Sequence, residues 1–356
     1  MRRAIGAAIA LAAVSAVGVA ACGPIATRVM RTGAERALSA DPIADLPDGL
    51  HVALCGAGGP MPSANRSGPC VAVVAGRTLF VVDAGTNGAR NLQGVIGWVP
   101  GRIAAVFLTH YHSDHIDGLG ELGLLRWVGG SHRDPLPLYG PEGLLDVAEG
   151  FARAYRHDAN YRVAHHGLEV VPPEGAGFEA RPFAAPAPGE SLVLWECDGI
   201  LVRAFRVEHE PVVPAVGYRF DYGGRSLVVS GDTKKSESLL AQARGVDLVV
   251  HEALSPKLVG ILHDAAVSAG VTGLAKIMTD IPDYHTTPVE AGELANAAGA
   301  RHLLLYHIVP PLPVPGLEGV FLEGVSGVFS GGIVLGRDGT TVSLPSRSKA
   351  VEVSQP

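Results

Sequence analysis

Between positions 110 and 115 the chain sets three imidazoles and a carboxylate: His110, His112, Asp114 and His115. Holding them so close is costly unless something binds them. Histidine is the commonest metal-binding side chain, and zinc accepts both imidazole nitrogen and carboxylate oxygen. The spacing interleaves two ligand sets. His110 and His112 can face one metal while Asp114 and His115 turn toward a second. The chemistry written here is metal coordination at two adjacent centres.

Such residues need a rigid element to aim them. The apolar, β-branched run at 103–108 directly precedes them and reads as a buried strand. The cluster therefore sits where a strand gives way to a loop, the edge at which α/β folds gather their sites. Upstream, residues 51–55 read as a strand, followed by a Gly-rich turn. Residues 71–74 and 78–82 read as a hairpin ending in Asp83-Ala84-Gly85. Helices are expected over 118–127 and 143–155. The Gly/Pro-rich segment 158–188 reads as an irregular cover over the site. Its adjacent His165 and His166 would point to opposite faces of an extended chain, so they are taken as surface or rim residues. Strands follow at 192–195, 200–207, 216–220, 226–230, 246–250 and 303–306, with a helix over 289–298. Alternating strands and helices in each half indicate a layered α/β protein.

Composition narrows the class. The 356 residues are 47% hydrophobic and 18% charged, enough for one large domain, and 46 Gly with 26 Pro imply many loops. The net charge of −7, without Lys/Arg runs, argues against a general nucleic-acid binder, though a local basic groove stays open. Arg2 and Arg3 precede the small, apolar run 4–21, a basic n-region and h-region. It ends in Val19-Ala20-Ala21-Cys22, which resembles a bacterial lipoprotein signal with Cys22 as the lipidated residue. A plain anchor or a cleaved signal peptide are the alternatives. The expectation is an exported, membrane-anchored lipoprotein facing the periplasm. Of Cys55, Cys70 and Cys197, an odd number leaves one unpaired. Cys55 and Cys70 lie near the ends of neighbouring strands and can pair; three separate thiols is the other reading.

The H-x-H-x-D-H pattern at 110–115 resembles the metallo-β-lactamase superfamily of binuclear hydrolases. The resemblance implies an αββα sandwich, two mixed β-sheets flanked by helices, over residues 49–345. A signal peptide at 1–22, a linker at 23–48 with a short helix near 31–38, and a tail at 346–356 complete the layout. It further implies two zinc ions, although mixed His/Asp sites also accept manganese or iron. His209 would complete the first site with His110 and His112. His307 would complete the second with Asp114 and His115, and Asp232 would bridge both. Asp83 would brace the ligand loop from behind.

The C-terminal half is similar to the tRNase Z branch, which includes an arylsulfatase group. His251-Glu252-Ala253, His285-Thr286-Thr287, Leu305-Tyr306-His307 and Gly217-Tyr218-Arg219 carry that likeness. Two departures stand out. Gly85-Thr86-Asn87-Gly88-Ala89 replaces the branch's G-E-G-T-Q. Residues 150–200 hold four Arg and no Lys against seven acidic residues, where those enzymes carry a basic arm.

The resemblance thus implies a hydrolase in which a hydroxide bridging two metals attacks a phosphodiester or sulfate ester. Asp114 would orient that nucleophile and accept its proton. Glu252 would orient His285, and His285 would protonate the leaving group. Charge and export point toward a small phospho- or sulfo-ester substrate and a membrane held through the N-terminus, with a homodimer as the assembly. The alternatives are a tRNase Z-like 3′-processing endoribonuclease, an acyl hydrolase of the lactonase or β-lactamase kind, and a non-catalytic metal-binding lipoprotein.

Overall fold

The computed structural model describes residues 23–96 and 100–356. Contacts divide the chain into residues 1–42 and residues 43–356. In the first unit, residues 23–39 are helical, a longer helix than the one expected over 31–38. The signal segment and Cys22 lie outside the described residues. Among the described residues no helix is long and apolar enough to cross a membrane.

The second unit begins with β1 (Gly49–Gly56), β2 (Cys70–Ala75), β3 (Thr78–Val82), β4 (Ile103–Phe107), β5 (Leu136–Gly140) and β6 (Phe178–Pro182). It continues with β7 (Leu192–Cys197), β8 (Ile200–Arg206), β9 (Val216–Tyr222), β10 (Arg225–Val229), β11 (Leu248–Leu254), β12 (His302–Val309) and β13 (Gly332–Leu335). β14 (Thr341–Pro345) and β15 (Glu352–Ser354) then return to the first group. One sheet runs β15-β14-β1-β2-β3-β4-β5-β6 and the other β13-β12-β11-β10-β9-β8-β7. Both are mixed: β1–β3 and β7–β10 pair antiparallel, while β3–β6 and β10–β13 pair parallel.

Strand alternation builds the layers. Leu50, Val52, Phe80 and Val82 meet Val202, Tyr218, Phe220 and Leu304 in one core between the sheets. The intervening Ala53, Leu79 and Val81 face outward, against Leu92, Leu119, Leu122 and Leu144. Those residues belong to helices α1 (Gly88–Ile96), α2 (Leu119–Gly130) and α3 (Leu144–His166). The second sheet's outer face packs on α4 (Glu237–Ala243) and α7 (Pro288–Ala298). Between them in sequence lie α5 (Pro256–Ser268) and α6 (Thr272–Asp280), which pack on each other. A face-alternating period of two demands this arrangement, because each sheet must cover both sides. The expected αββα sandwich is the observed fold.

Several local expectations need correction. The helix read over 143–155 runs on to His166, so His165 and His166 sit at a helix C-terminus, both exposed, with rings 4.8 Å apart. Segment 158–188 is irregular only in part: its first residues complete α3, turns follow from Gly167, and Phe178–Pro182 supply β6, which pairs parallel with β5. Low apolar content hid that edge strand. Residues 346–356, read as a tail, contribute β15 to the first sheet. Cys55 and Cys70 form a disulfide, and Cys197 is free and exposed.

Candidate metal centre

β3 and β4 run parallel and end side by side, and the site is built from their ends. After β3 the backbone turns through Asp83, whose φ of 57° lies in the left-handed region that few side chains tolerate. That turn aims its carboxylate across at the end of β4. One oxygen accepts from the Thr109 backbone N–H at 2.8 Å. The other accepts from the Thr109 hydroxyl at 2.9 Å and lies 2.8 Å from His115 Nδ1. The neighbouring Ser113–Ile116 turn of helix then carries Asp114 and His115 inward, both buried.

Seven side chains expected as ligands converge. His110, His112, His209 and Asp232 present ligand atoms within 4.8 Å of one another, and so do Asp114, His115 and His307. Asp232 Oδ2 lies 3.3 Å from His115 Nε2, 3.2 Å from His307 Nε2, and 3.9 Å from both His110 Nε2 and His209 Nε2. It stands between the two groups and approaches both. His110 and His115 ring centroids are 4.1 Å apart. A backbone group fixes one tautomer from outside: His209 Nδ1 lies 2.9 Å from the Tyr284 carbonyl, leaving Nε2 to face inward. The tie of a ligand imidazole's far nitrogen to a carbonyl or carboxylate is typical of metal sites.

His307 arrives by a device no pattern shows. It lies inside β12, and its φ of 47° breaks the alternation. Tyr306 pairs with Glu252 and Ile308 with Ala253, so His307 is a bulged residue without a cross-strand partner. The bulge re-aims its side chain toward Asp114 and Asp232. Gly59 permits the approach, since a Cβ there would lie 3.0 Å from the His307 ring.

The electrostatics suit a cation. Burial drives the His110 imidazole well below its ordinary pKa, with the His115 charge adding to that effect. Burial likewise lowers His112 and His209. Neutral imidazoles are the form that binds metal. For His115, burial opposes protonation, but Asp232, Asp83 and Asp114 outweigh it and raise the pKa well above normal. The field that would hold a proton on His115 would equally hold a metal. Asp232 is kept well below the carboxylate range: burial opposes this, and the surrounding imidazoles His307 and His115 prevail. His115 Nε2, His209 Nε2 and Asp232 Oδ1 are buried with no hydrogen-bond partner. Orphaned buried polar atoms are costly unless a ligand completes them. The donor set therefore fits divalent metal.

Glu252 and His285 lie against this cluster. Glu252 is fully buried within β11, which extends past the end expected for it. Its Oε1 accepts from the Thr286 backbone N–H at 3.0 Å and lies 3.1 Å from His285 Nδ1. Burial pulls the His285 pKa down, yet the Glu252 charge, its hydrogen bond and Asp232 raise it to about 9. His285 precedes α7, whose N-cap Thr287 forms a capping box with Glu290 and fixes the loop. The expectation set His285 apart from the metals. In the structure it also stands within 4.8 Å of ligand atoms of Asp232 and His307. Sequence reasoning missed Thr109, Thr286 and the Tyr284 carbonyl as positioning groups. Thr109 and Thr286 each adjoin a site histidine, a signal that was available.

Comparison with known proteins follows the same line. A family model described as a beta-lactamase superfamily domain matches residues 78–308. The chain is 36% identical over 292 residues to a Ribonuclease Z of Mycobacterium bovis (strain BCG / Pasteur 1173P2), covering 81% of this chain and 96% of that one. It is 33% identical over 291 residues to the Ribonuclease Z of Mycobacterium avium (strain 104), with the same coverage of 81% and 96%. In fold it is similar to the metallo-beta-lactamase fold protein YhfI from Bacillus subtilis, with a TM-score of 0.58 at 22% identity, over 83% of this chain and 100% of that one.

Proposed function

This chain belongs to the metallo-β-lactamase superfamily of hydrolases, and from that premise we propose that it is a metal-dependent phosphodiesterase cutting RNA, as a ribonuclease Z does. The observation that carries this reading is the Glu252–His285 pair beside the seven-residue cluster. A phosphodiester releases a poor alkoxide leaving group, and a positioned acid speeds such a step by about 10²–10⁴-fold. The likeness to Ribonuclease Z over 81% of the chain supports the RNA assignment.

His110, His112, His209 and Asp232 would hold one divalent ion, and Asp114, His115 and His307, with Asp232, the other. Such ions, most simply zinc, supply an activated water and neutralise charge on the phosphoryl oxygens. Asp114 orients the attacking water and takes its proton. As the new P–O bond forms and the P–O bond to the leaving oxygen breaks, His285 gives that oxygen the proton on Nε2. Glu252 holds Nδ1 and keeps the ring aligned and charged.

A second reading is a small phospho- or sulfo-ester substrate. It is favoured by the excess of seven acidic residues over four Arg between 150 and 200, a poor surface for a polyanion. A precursor tRNA, bis(p-nitrophenyl) phosphate and p-nitrophenyl sulfate separate the two. Cleavage of the tRNA at a defined 3′ site supports the first reading. Turnover of a small ester with no RNA cleavage replaces it with the second. Turnover of none of the three by metal-loaded protein rejects both. A lipid on Cys22 and an exported body go with the second reading, because export separates the chain from precursor tRNA. Cys22→Ser should then leave the chain unprocessed; unchanged processing would make the segment an ordinary signal. The expected homodimer would appear on sedimentation as twice the mass of one chain.

A further inference from the structure

A cavity of about 240 Å³ opens between α2, α3 and the start of β6. None of its lining residues belongs to the metal-ligand cluster. Its walls are the rings of Trp127, Phe151, Tyr155 and Phe178. Its floor is Gly120 and Gly123 of α2. Glycine inside a helix costs about 0.5–1 kcal/mol relative to alanine. Here both are needed: a Cβ on Gly120 would run into the Tyr155 ring, and one on Gly123 would lie 2.8 Å from Phe178. The helix keeps two unfavourable residues, and the aromatic walls stand close against it as a result.

The mouth carries one charge of each sign, Arg156 and Asp158. Arg156 lines the cavity, is exposed, and has no ion pair or hydrogen bond within the described residues. Asp158, also at the rim, is already engaged by Arg162 Nε at 2.7 Å. Glu121 on the same helix as the floor is engaged by Arg90. The free charge at the entrance is therefore a guanidinium, above an apolar slot.

The geometry points to a binding site for an amphiphilic organic anion, its apolar body in the slot and its anionic head on Arg156. Size bounds the body. An apolar cavity of about 150 Å³ takes the six carbons of benzene, so about 240 Å³ takes roughly nine or ten carbons. The ligand class is a single-chain carboxylate of medium length or an anion of similar bulk. Aromatic walls with one placed charge are the usual make-up of small-molecule sites.

The test is calorimetric titration of the full-length, metal-loaded protein with straight-chain carboxylates from butanoate to tetradecanoate, each below its micellar concentration. Burial of each methylene should tighten binding about fourfold. The gain should stop near nine or ten carbons, when the slot is full. Decanol should bind more weakly than decanoate. Arg156→Gln should weaken decanoate by up to about fivefold, as for an exposed ion pair, and bring it level with decanol. Ala159→Leu, which fills the slot from α3, should abolish binding. Absence of binding by the whole series overturns the site. An affinity that climbs past twelve carbons without levelling shows adsorption to the surface and also overturns it. Equal binding of decanol and decanoate overturns the role of Arg156. The chain-length series needs no variant, so it decides the matter even if Ala159→Leu does not fold.

Discussion

The Asp83 carboxylate lies 2.8 Å from His115 Nδ1 while also accepting two hydrogen bonds from Thr109. One fully buried acid thereby ties the residue before the first ligand to the last ligand of the same loop. It fixes the His115 tautomer and turns Nε2 toward Asp232.

Asp83→Asn keeps the shape and removes the charge. Metal affinity should fall by about 10–100-fold, the usual effect of losing such a partner. Competition with a chromogenic chelator measures it. Asp83→Ala should also destabilise the fold by about 1–3 kcal/mol, because Thr109 and His115 lose a buried acceptor. Unchanged metal affinity in Asp83→Asn would remove the bracing role.

The ligand cluster should link metal to stability. Ions that bind only the folded chain raise its melting temperature by mass action. Chelation should lower Tm and abolish activity, and adding divalent ions should restore both. His112→Ala should lose most of the metal and nearly all activity. Full turnover by protein shown to be metal-free would rule out a metal-dependent mechanism.

His285→Ala should leave metal content unchanged and slow cleavage by about 10²–10⁴-fold for an alkoxide leaving group. A nitrophenolate leaves without help, so its loss should be small. Equal losses would give His285 some role other than the acid, and loss of metal would mark it as a ligand, a position its nearness to Asp232 and His307 allows.

The pH dependence follows from the same pair. The His285 pKa is raised from 6.5 to about 9. A raised pKa means that protonation stabilises the fold. That contribution is fully present below 6.5 and is lost as pH rises through about 9. Alkoxide-releasing turnover should fall over the same upper limb. Glu252→Gln removes the main raising charge, so that limb should move toward neutral pH. A limb that stays in place would assign it to another group.

The Cys55–Cys70 disulfide closes a loop of 15 residues that carries Gly58 and Gly59 toward β12 and His307. A loop of that size is worth about 3 kcal/mol on the chain-entropy account. The double Cys→Ser variant should lose about that much in denaturant unfolding and bind metal more weakly. A variant as stable as the parent would show that strand pairing alone holds the loop.

Much of this was legible in the chain itself. The apolar run at 103–108 ahead of a His/Asp cluster marked a strand end carrying ligands. That reading holds because burial and period are local properties of consecutive residues. His209 and Asp232 follow strands for the same reason, and the two-residue alternation specified both faces of each sheet. What the chain could not display is set by contacts between distant residues. The left-handed backbone at Asp83 and the bulge at His307 are unfavourable locally and persist because neighbouring strands impose them. The disulfide depends on how β1 and β2 register, and the edge strand β6 on an available partner in β5. The aromatic slot exists only where α2 and α3 pack beside β6. Residue type and spacing determined which groups could bind metal. Only the packing of two sheets decided that seven of them meet within a few ångströms, since that closeness is a property of the folded backbone and not of any stretch of it.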